Sequence, residues 1–450
     1  MRTIKELDIH PPINLIFDLY KNEKNAVFLD SSLKNDLGQY SIIGLYPYLE
    51  LINGNEFTVN GVICEEPFEI YLKEILKTNH EENDTILPIT SGAIGYFSYD
   101  YGAEKANIQS RHNHLDGIPK CVFCFYDVFI IENNKNGKLY IVANGNTKNS
   151  SILVDEIVEH IYSYDFDSVA NEASDKVYEN EIEFNMAEDV YKKSINNLIN
   201  YIVEGDIYVV NMTQQLKIKS KKDPYSFFKK LRQINPSPFG GYLNYGNHKI
   251  ISSSPERFLR MKNNVIETRP IKGTRKRGIN EEDDMKIREE LTNSEKDKSE
   301  LLMIVDLERN DLNKVSIPGS VEVSELFKTE EYATVFHLVS NITSKLKDNK
   351  TVLDLIYATF PGGSITGAPK IRAMEIIDEV EASNRNIYTG IMGYISFNGD
   401  CDFNIIIRTA LYYENEYHLG VGGGITCESD VDFEFEEILQ KSKAILEALK

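Results

Sequence analysis

Short runs of aromatic and β-branched residues, separated by turns rich in glycine and asparagine, dominate the first 165 residues of the chain. Such runs are typical of β-strands, because branched and aromatic side chains pack well on a pleated surface. The clearest examples are residues 26–29, 40–45, 57–62 and 121–131. They predict that residues 1–165 form an N-terminal region that is mostly β-sheet.

Residues 166–186 are polar, acidic and weakly periodic, which predicts a linker to a C-terminal region of residues 187–450. That region opens with apolar residues at helical spacing before a glycine stop: Tyr191, Ile195, Leu198, Ile202 and Gly205. Later helices are predicted at residues 281–308, 352–359, 370–381 and 433–449. Strands are predicted at residues 207–212, 241–244, 249–252, 390–397, 404–412 and 418–422. Without a βαβαβ series, the predicted class is α+β with extensive antiparallel sheet.

The chain is strongly acidic, since 70 Asp and Glu residues against 49 Lys and Arg residues give a net charge of −21. That charge opposes binding to nucleic acid and to anionic membrane surfaces. The longest apolar stretch, residues 121–131, contains Asp127 and is too short to span a bilayer. Residues 1–20 lack the apolar core of a secretory signal, and five cysteines form no disulfide framework. We expect a cytoplasmic protein in which Cys121 and Cys124 are buried strand residues.

A glutamate and a lysine are predicted to meet beside one hairpin. Asn263 and Asn264, between two strand-like segments, form a plausible two-residue turn. Pairing outward from that turn places Glu256 opposite Ile271 and beside Lys272, at a spacing of roughly 5 Å. An exposed salt bridge is the simpler interpretation of a random pair. The neighbouring proline and glycine favour close approach instead, and a carboxyl beside an amine suits acid–base or nucleophilic chemistry.

Two acidic pairs with a spacing of three residues are candidate metal ligands. Asp297 and Glu300 lie in the long predicted helix, and Glu434 and Glu437 lie in the first turn of the last helix. Residues three apart share a helix face, so two such faces would offer four carboxylates to Mg²⁺, a hard cation. From the residues alone, solvated helix surface is the simpler interpretation, and acids in a first turn also favour the helix dipole.

Two glycine-rich segments are candidate anion sites. Residues 361–370 run into a predicted helix, and Gly422, Gly423 and Gly424 follow a predicted strand. Glycine before a helix N-terminus exposes backbone N–H groups to an anion. The ending of a phosphate-binding loop is missing, because Ala-Pro separates the last glycine from Lys370. An ATPase is therefore disfavoured, and a bound carboxylate or a plain connecting turn both remain open.

Three single residues are weaker candidates. His337 has apolar neighbours on both sides, and such a histidine is more often a satisfied core residue. Arg408 interrupts a buried-looking strand and needs a partner, either a structural Glu or a bound carboxylate. Tyr388 precedes a strand and either donates to a ligand or packs.

Taken together, these segments closely resemble the chorismate-utilising enzymes, a family of anthranilate, aminodeoxychorismate, isochorismate and salicylate synthases. The shared motifs occur in one order and cover nearly the whole chain. They are LDSS (29–32), GQYS (38–41), GAIGYFSYD (92–100), IYVVNMTQ (207–214), PSPF (236–239), ELLMIVD (300–306), RND (309–311), VFHLVS (335–340), PGGSITGAPK (361–370) and GIMGY (390–394).

The resemblance implies an α+β fold in which two facing antiparallel sheets form a sandwich flanked by helices, with the active site in the C-terminal part. It makes Glu300 and Glu437 ligands of Mg²⁺, with Asp297 and Glu434 as their helical neighbours, and the metal would hold the ring carboxylate of chorismate. Tyr388 and Arg408 match groups that hold the enolpyruvyl carboxylate. The rest of the implied pocket wall is Thr274, His337, Ser364, Gly422, Gly423 and Gly424.

The residue at position 272 distinguishes branches of the family. Anthranilate synthases usually have Ala in this motif, whereas aminodeoxychorismate synthases have Lys, so Lys272 favours the 4-amino product. Gln214 stands where the water-adding relatives carry Lys, which disfavours water as the nucleophile. The hypothesis is that protonated Glu256 donates to the leaving C4 hydroxyl while neutral Lys272 attacks C2. Ammonia then adds at C4 and expels Lys272.

No cysteine lies in a glutaminase context, so ammonia would come from a separate glutamine amidotransferase subunit or from free ammonium. The product would feed p-aminobenzoate and folate synthesis. The first alternative is an anthranilate synthase component, and a possible amino-acid pocket would consist of Asp30, Ser31, Ser32, Ser41, Pro238 and Phe239. A catalytically silent amino-acid-binding subunit is disfavoured, because Glu256, Lys272 and the four acids are intact.

Overall fold

The computed structural model describes residues 1–165, 177–331 and 335–450, and within these ranges 22 strands form one hydrogen-bonded, antiparallel network. The strands before residue 166 are β1 Thr3–Leu7, β2 Val27–Asp30, β3 Tyr40–Asn53, β4 Phe57–Val59, β5 Val62–Ile63, β6 Gly92–Phe97, β7 Cys121–Asn133 and β8 Lys138–Ala143. The later strands are β9 Glu181–Phe184, β10 Val209–Lys219, β11 Phe239–Asn244, β12 His248–Ser254, β13 Arg257–Lys262, β14 Val265–Thr268, β15 Ile271–Lys276, β16 Glu322–Glu331, β17 Val335–Lys345, β18 Gly367–Ala368, β19 Ile391–Ser396, β20 Cys401–Ile405, β21 Thr409–Tyr413 and β22 Glu416–Ile425.

Helices cover the outer faces of the strands. They are α1 Ile13–Tyr20, α2 Phe68–Thr78, α3 Tyr99–Lys105, α4 Ser150–Ser163, α5 Glu188–Glu204, α6 Pro224–Ile234, α7 Glu281–Asn293, α8 Glu295–Asn313, α9 Val352–Thr359, α10 Lys370–Val380 and α11 Val431–Leu449. As predicted, α5 ends at Gly205, which adopts the left-handed conformation at φ 88°. Within the described ranges, no helix is long and apolar enough to cross a membrane.

The strands form two sheets that share one long ribbon, β3 paired with β7. The first sheet runs β1-β8-β7-β3-β2-β11-β12-β21-β22-β10-β9. The second runs β5-β4-β3-β7-β6-β19-β20-β13-β14-β17, with β15 and β16 also on β17. The register of the ribbon shifts between Pro47 and Leu49, where it passes from one sheet to the other.

The alternation of side chains along the ribbon divides the core into layers. In β7, Val128 and Ile130 pack between the first sheet and its helices, whereas Phe129 and Ile131 pack between the two sheets. Phe123, nearer the start of the strand, packs between the second sheet and its own helices. The predicted sandwich of two facing sheets flanked by helices is therefore confirmed, and Cys121 and Cys124 are buried free thiols in it.

The two predicted regions share both sheets, because β2 pairs with β11 and β6 pairs with β19. Of the predicted linker, residues 166–176 lie outside the described residues. Its later part includes β9, an edge strand on β10. The two regions therefore build one common core.

Three predicted elements differ from the structure. The helix predicted at residues 281–308 is two helices, because Ser294 is extended (ψ 104°) and its Oγ accepts a hydrogen bond from the backbone N–H of Asp297. The strand predicted at 404–412 is broken before β21, where Arg408 takes a positive φ of 49°. The three glycines predicted to follow a strand lie inside β22 instead, paired with β10.

Candidate active site

Glu256 and Lys272 converge on one residue, Ser364, in the short 3-10 turn Gly363–Ile365. The Oγ of Ser364 donates a hydrogen bond to Oε1 of Glu256 at 2.9 Å. The Nζ of Lys272 donates to the carbonyl oxygen of Ser364 at 3.4 Å. Glu256 and Lys272 therefore both contact one residue.

The strand pairing that brings them together is not the one predicted. The hairpin does turn at Asn263 and Asn264, which have φ values of 51° and 62°, but its pairing does not extend to Glu256 and Ile271. After β14 the chain leaves β13, and Ile271 pairs with Val339 of β17. The preceding proline explains the change, because it has no N–H group to continue the ladder.

Charged side chains lie beside the three glycines of β22. A Cβ built on Gly424 would lie 3.5 Å from Nζ of Lys272, and one built on Gly423 would lie 3.2 Å from Oε2 of Glu434. The carbonyl oxygen of Gly422 accepts a hydrogen bond from Nζ of Lys441 at 2.8 Å. The three glycines therefore lie against an amine, a carboxylate and a second amine.

The electrostatic surroundings of Glu256 favour its protonated form. Burial raises the pKa of the Glu256 carboxyl above its ordinary value, while the hydrogen bond from Ser364 and the charges of Lys272, Arg408 and Lys441 offset part of the rise. A carboxyl with a raised pKa is suited to act as a general acid near neutral pH.

Arg408 is the partly buried cation of this site. Burial lowers the pKa of its guanidinium, and the charge of Glu256 acts in the opposite direction. Among the residues that the structure describes, none forms a hydrogen bond or an ion pair with its side chain. Two partners were predicted for Arg408, a structural Glu or a bound carboxylate. The described residues supply no such Glu, so a bound anionic ligand would satisfy the cation.

Two further predicted pocket residues form a hydrogen-bonded pair across β15 and β17. Oγ1 of Thr274 and Nδ1 of His337 are 2.8 Å apart. Burial, with a contribution from Arg408, lowers the pKa of His337 to about 4, so its imidazole is neutral at physiological pH. A neutral imidazole can orient a ligand without adding charge.

Tyr388 is buried, and burial raises the pKa of its hydroxyl above the ordinary value. Its ring lies flat against β22, where a Cβ built on Gly420 would be only 2.1 Å from a ring carbon. Sequence reasoning missed Gly420, although its place two residues before the glycine triplet was a usable signal.

The four predicted metal ligands lie on α8 and α11 and are electrostatically coupled. Burial raises the pKa of Glu300, and the negative charges of Asp297 and Glu437 add to the rise. Burial likewise raises the pKa of Glu434, again with a contribution from Glu437. The negative charges of neighbouring carboxylates repel one another, and a bound cation would relieve that repulsion.

The present side-chain arrangement engages three of these acids in other contacts. Asp297 pairs with Arg275 at 3.0 Å, Glu437 pairs with Lys441 at 2.7 Å, and Glu434 accepts a hydrogen bond from Ser429 at 2.7 Å. Within the described ranges, no group of three His, Cys, Asp or Glu side chains is arranged to hold a metal ion. The donor chemistry fits Mg²⁺, which prefers carboxylate oxygens, but these side chains would have to move to surround it.

The sequence profile of the chorismate binding enzyme family matches residues 30–447. This chain belongs to that family. Anthranilate synthase component 1 of Acetivibrio thermocellus is 34% identical to it, over 98% of this chain and 93% of that protein. Aminodeoxychorismate synthase component 1 of Bacillus subtilis (strain 168) is 33% identical, over 96% of this chain and 93% of that protein.

A solved structure agrees with the sequence relatives. Anthranilate synthase component I from Streptococcus pneumoniae TIGR4 superposes with a TM-score of 0.80 at 26% identity, over 92% of this chain and 93% of that one. The protein is a chorismate-binding enzyme of the anthranilate and aminodeoxychorismate synthase type.

Two charged residues of this chorismate-binding enzyme were missed in the sequence. Lys441 contacts Gly422 and Glu437 and acts electrostatically on Glu256. Its signal was its position four residues after Glu437. Glu308 on α8 accepts a hydrogen bond from Thr268 at 3.0 Å, and burial raises its pKa to about 8.

Lys370, at the end of the glycine-rich segment, has a structural role in this enzyme. Its Nζ pairs with Asp311 and donates to the carbonyl oxygen of Thr359 at 2.8 Å. The amine of Lys370 is thus engaged inside the protein and does not face a phosphate site. This agrees with the sequence, which disfavoured a phosphate-binding loop here.

The predicted N-terminal pocket corresponds to a cavity of about 100 Å³, which Asp30, Ser31, Pro238 and Phe239 help to line. Oδ2 of Asp30 accepts a hydrogen bond from Arg232 at 2.7 Å, whereas its buried Oδ1 has no partner within the described residues. The other two predicted residues brace the loop. Ser41 accepts a hydrogen bond from the N–H of Ser31, and Ser32 donates to the carbonyl oxygen of Ser237.

Proposed function

We propose that this enzyme converts chorismate and ammonia into 4-amino-4-deoxychorismate, in the synthesis of p-aminobenzoate and folate. The shared contact of Glu256 and Lys272 with Ser364 is the observation that supports it most directly. It holds an acid and an amine on one small segment, which suits simultaneous departure of a hydroxyl group and attack on the ring.

In the proposed first step, Lys272 in its neutral amine form bonds through Nζ to C2 of chorismate while the ring double bonds shift and the C4–O bond breaks. Glu256 donates the proton with which the C4 hydroxyl leaves as water. In the second step ammonia forms a bond to C4, the double bonds shift back, and the C2–N bond breaks to release Lys272. Ionised Glu256 takes the proton that ammonia loses, which restores the starting state.

The remaining predicted residues would bind and orient the substrate. Tyr388 and Arg408 would hold the enolpyruvyl carboxylate. The lack of a partner for the Arg408 guanidinium among the described residues supports this role. The wall of the pocket would be Thr274, His337, Ser364, Gly422, Gly423 and Gly424. Mg²⁺ would supply positive charge at the ring carboxylate, and the mutually coupled Glu300, Glu434 and Glu437 would hold it.

The proposed source of ammonia is a separate glutamine amidotransferase subunit, or free ammonium in its absence. The proposed location is the cytoplasm. The support for a separate subunit is the relatives' names, each of which describes a component 1.

The test is product identification after incubation with chorismate, Mg²⁺ and ammonium. We expect a product with the mass of 4-amino-4-deoxychorismate and no release of pyruvate. The second candidate is anthranilate synthesis, which relatives of that name at 34% identity favour. Fluorescent anthranilate with stoichiometric pyruvate would establish that activity and refute the 4-amino product.

We further propose that the N-terminal cavity binds a free amino acid. The unpartnered Oδ1 of Asp30 suits an α-ammonium group, and Pro238 and Phe239 offer an apolar wall. Calorimetric titration with tryptophan and other amino acids is the test, with Asp30→Asn as the control variant. Binding that Asp30→Asn abolishes supports the proposal, whereas no binding by the unaltered protein refutes it.

A further inference from the structure

Strand β15 bulges directly after Lys272. Lys272 and Thr274 pair with Leu338 and His337, which are adjacent residues of β17, so Gly273 is an extra residue in the strand. Its φ is 72°, in the left-handed region that glycine adopts without strain. A bulge bends its strand and re-aims the neighbouring side chains, so the geometry at Gly273 sets the direction of the Lys272 amine.

The carboxylate of Asp297 lies in the notch of this bulge. A Cβ built on Gly273 would be 2.9 Å from both Cγ and Oδ1 of Asp297 and 2.9 Å from Leu291. Side chains do not approach a real Cβ so closely, so only glycine permits this contact. Asp297 is 9% exposed, at the first turn of α8, where Ser294 caps its N–H group.

The same carboxylate is also fixed from the other side. Oδ2 of Asp297 accepts a hydrogen bond from Nη2 of Arg275 at 3.0 Å, and Nε of Arg275 donates to Glu290 of α7 at 3.1 Å. Arg275 is three residues after Lys272 on the same strand. These contacts connect β15 to α7 and α8 around the bulge.

Glu300, one turn further along α8, differs from Asp297 in the contacts of its carboxylate. Its carboxylate accepts no hydrogen bond and forms no ion pair with any residue in the described part of the chain. It is coupled to Lys272, Lys296, Asp297 and Glu437 through their charges. The carboxylate of Glu300 is therefore available to a cation. Glu434, Glu437 and Asp297 all have partners, but of the four acids only Asp297 lies against the bulge that follows Lys272.

We propose that Asp297 is a positioning residue for Lys272 rather than a magnesium ligand: wedged against Gly273 and held by Arg275, it fixes the bulge that directs the Lys272 amine at Ser364. This inference rests on the proposed role of Lys272 as the nucleophile. It divides the four acids by function, with Glu300, Glu434 and Glu437 facing the cation and Asp297 facing the strand.

The first test measures divalent-metal binding without substrate, by titrating Mn²⁺ into the full-length protein and recording its electron paramagnetic resonance signal. Glu300→Gln should weaken binding by roughly tenfold or more, whereas Asp297→Asn should leave the Kd within about threefold, since a single lost ligand costs more than that. A loss in Asp297→Asn equal to that in Glu300→Gln would overturn the proposal.

The second test measures turnover at saturating Mg²⁺. Asp297→Asn keeps the size of the side chain but weakens its hold on Arg275, so kcat should fall about 10- to 100-fold through misplacement of the amine. KM for chorismate should change little. Arg275→Gln, which removes the same ion pair from the strand side, should lower kcat similarly and leave Mn²⁺ binding intact. Unchanged kcat in both folded variants would refute the positioning role.

These outcomes are distinguishable from failure of the proposed function. If Lys272→Ala retained full 4-amino product formation, the nucleophile role would fail, and with it the reason for positioning Lys272. The Mn²⁺ comparison of Asp297→Asn with Glu300→Gln would still decide whether Asp297 is a ligand. Circular dichroism and the urea midpoint of each variant confirm that the compared proteins are folded.

Discussion

Two arginines of this molecule, the buried Arg385 and the partly buried Arg408, differ sharply in their partners. Arg385 donates three hydrogen bonds to the carboxylate of Glu381, at 2.7, 3.0 and 3.3 Å. It also donates to the carbonyl oxygens of Ile365 and Asn211 at 2.7 Å each. Arg408 forms no such bond with the described residues. Folded proteins seldom remove a charge from water without giving it a partner. The contrast therefore indicates that Arg408, with Glu256 and Lys272 nearby, belongs to a ligand-binding site.

The largest effect is expected in the candidate active site, which contains Arg408. Replacing the proposed general acid by Glu256→Gln removes the proton donor while keeping the hydrogen bond from Ser364. We expect kcat to fall by about 10²- to 10⁴-fold, with little change in the urea midpoint. Steady-state kinetics at saturating ammonium measure it. A kcat within threefold of the unaltered enzyme would show that Glu256 is not the acid.

The second-largest effect is expected at Arg385, the arginine that is paired within the fold, and it concerns stability. Arg385→Met leaves the buried carboxylate of Glu381 without its partner, so the free energy of unfolding should fall by about 3–5 kcal/mol. Urea denaturation followed by circular dichroism measures the change. A loss below about 1 kcal/mol would mean that the pair contributes no more than a typical surface salt bridge.

The matched substitution at the other arginine should give the reverse pattern. Arg408→Met removes a charge that has no hydrogen-bond or ion-pair partner in the described part of the chain, so the urea midpoint should stay the same or rise. KM for chorismate should increase about 10- to 100-fold, since hydrogen bonds to a charged group contribute about 1.5–3 kcal/mol. A destabilised Arg408→Met protein with normal KM would erase the distinction between the two arginines.

The smallest expected effect concerns Glu308, a buried acid near the site. Its pKa of about 8 in the folded protein lies above the ordinary value of a glutamate. At pH values between these two pKa values, the folded state therefore binds a proton that the unfolded state has lost. The stability that this proton provides is fully present at low pH and is lost as pH rises through about 8. Glu308→Gln should therefore gain on the order of 1 kcal/mol over the unaltered protein between pH 6 and pH 9.

Urea midpoints at the two pH values measure this gain. The exposed Glu322 of β16 supplies a control, because Glu322→Gln should show the same pH dependence as the unaltered protein. Equal pH dependence in Glu308→Gln and Glu322→Gln would show that Glu308 is ionised throughout the range.

Local signals in the sequence predicted the parts of this molecule that depend on local physics. The turn at Asn263 and Asn264 forms because asparagine tolerates positive φ. Helix α5 ends at Gly205 because glycine also adopts positive φ readily. The division of β strands into two facing sheets required the family resemblance, since alternation alone does not say which sheet a strand joins.

Tertiary contacts decided the parts that the sequence did not predict. The pairing of Ile271 changed because β17 offered a partner beyond the proline. The glycines of β22 resemble a turn in sequence. Tertiary contacts explain two of them inside a strand, because a Cβ on Gly422 would lie 2.4 Å from the carbonyl oxygen of Met212 and one on Gly423 would lie 3.2 Å from the carboxylate of Glu434. Lys441 resembles a solvated helix residue until its contact with Gly422 is known.

The most direct test of the central claim is the intact mass of the enzyme after mixing with chorismate and Mg²⁺ in the absence of ammonia. The account predicts a covalent species heavier by one chorismate less one water, which peptide mapping assigns to Lys272 and which ammonium discharges as the 4-amino product. An unmodified enzyme that nevertheless forms this product when ammonium is added would contradict it.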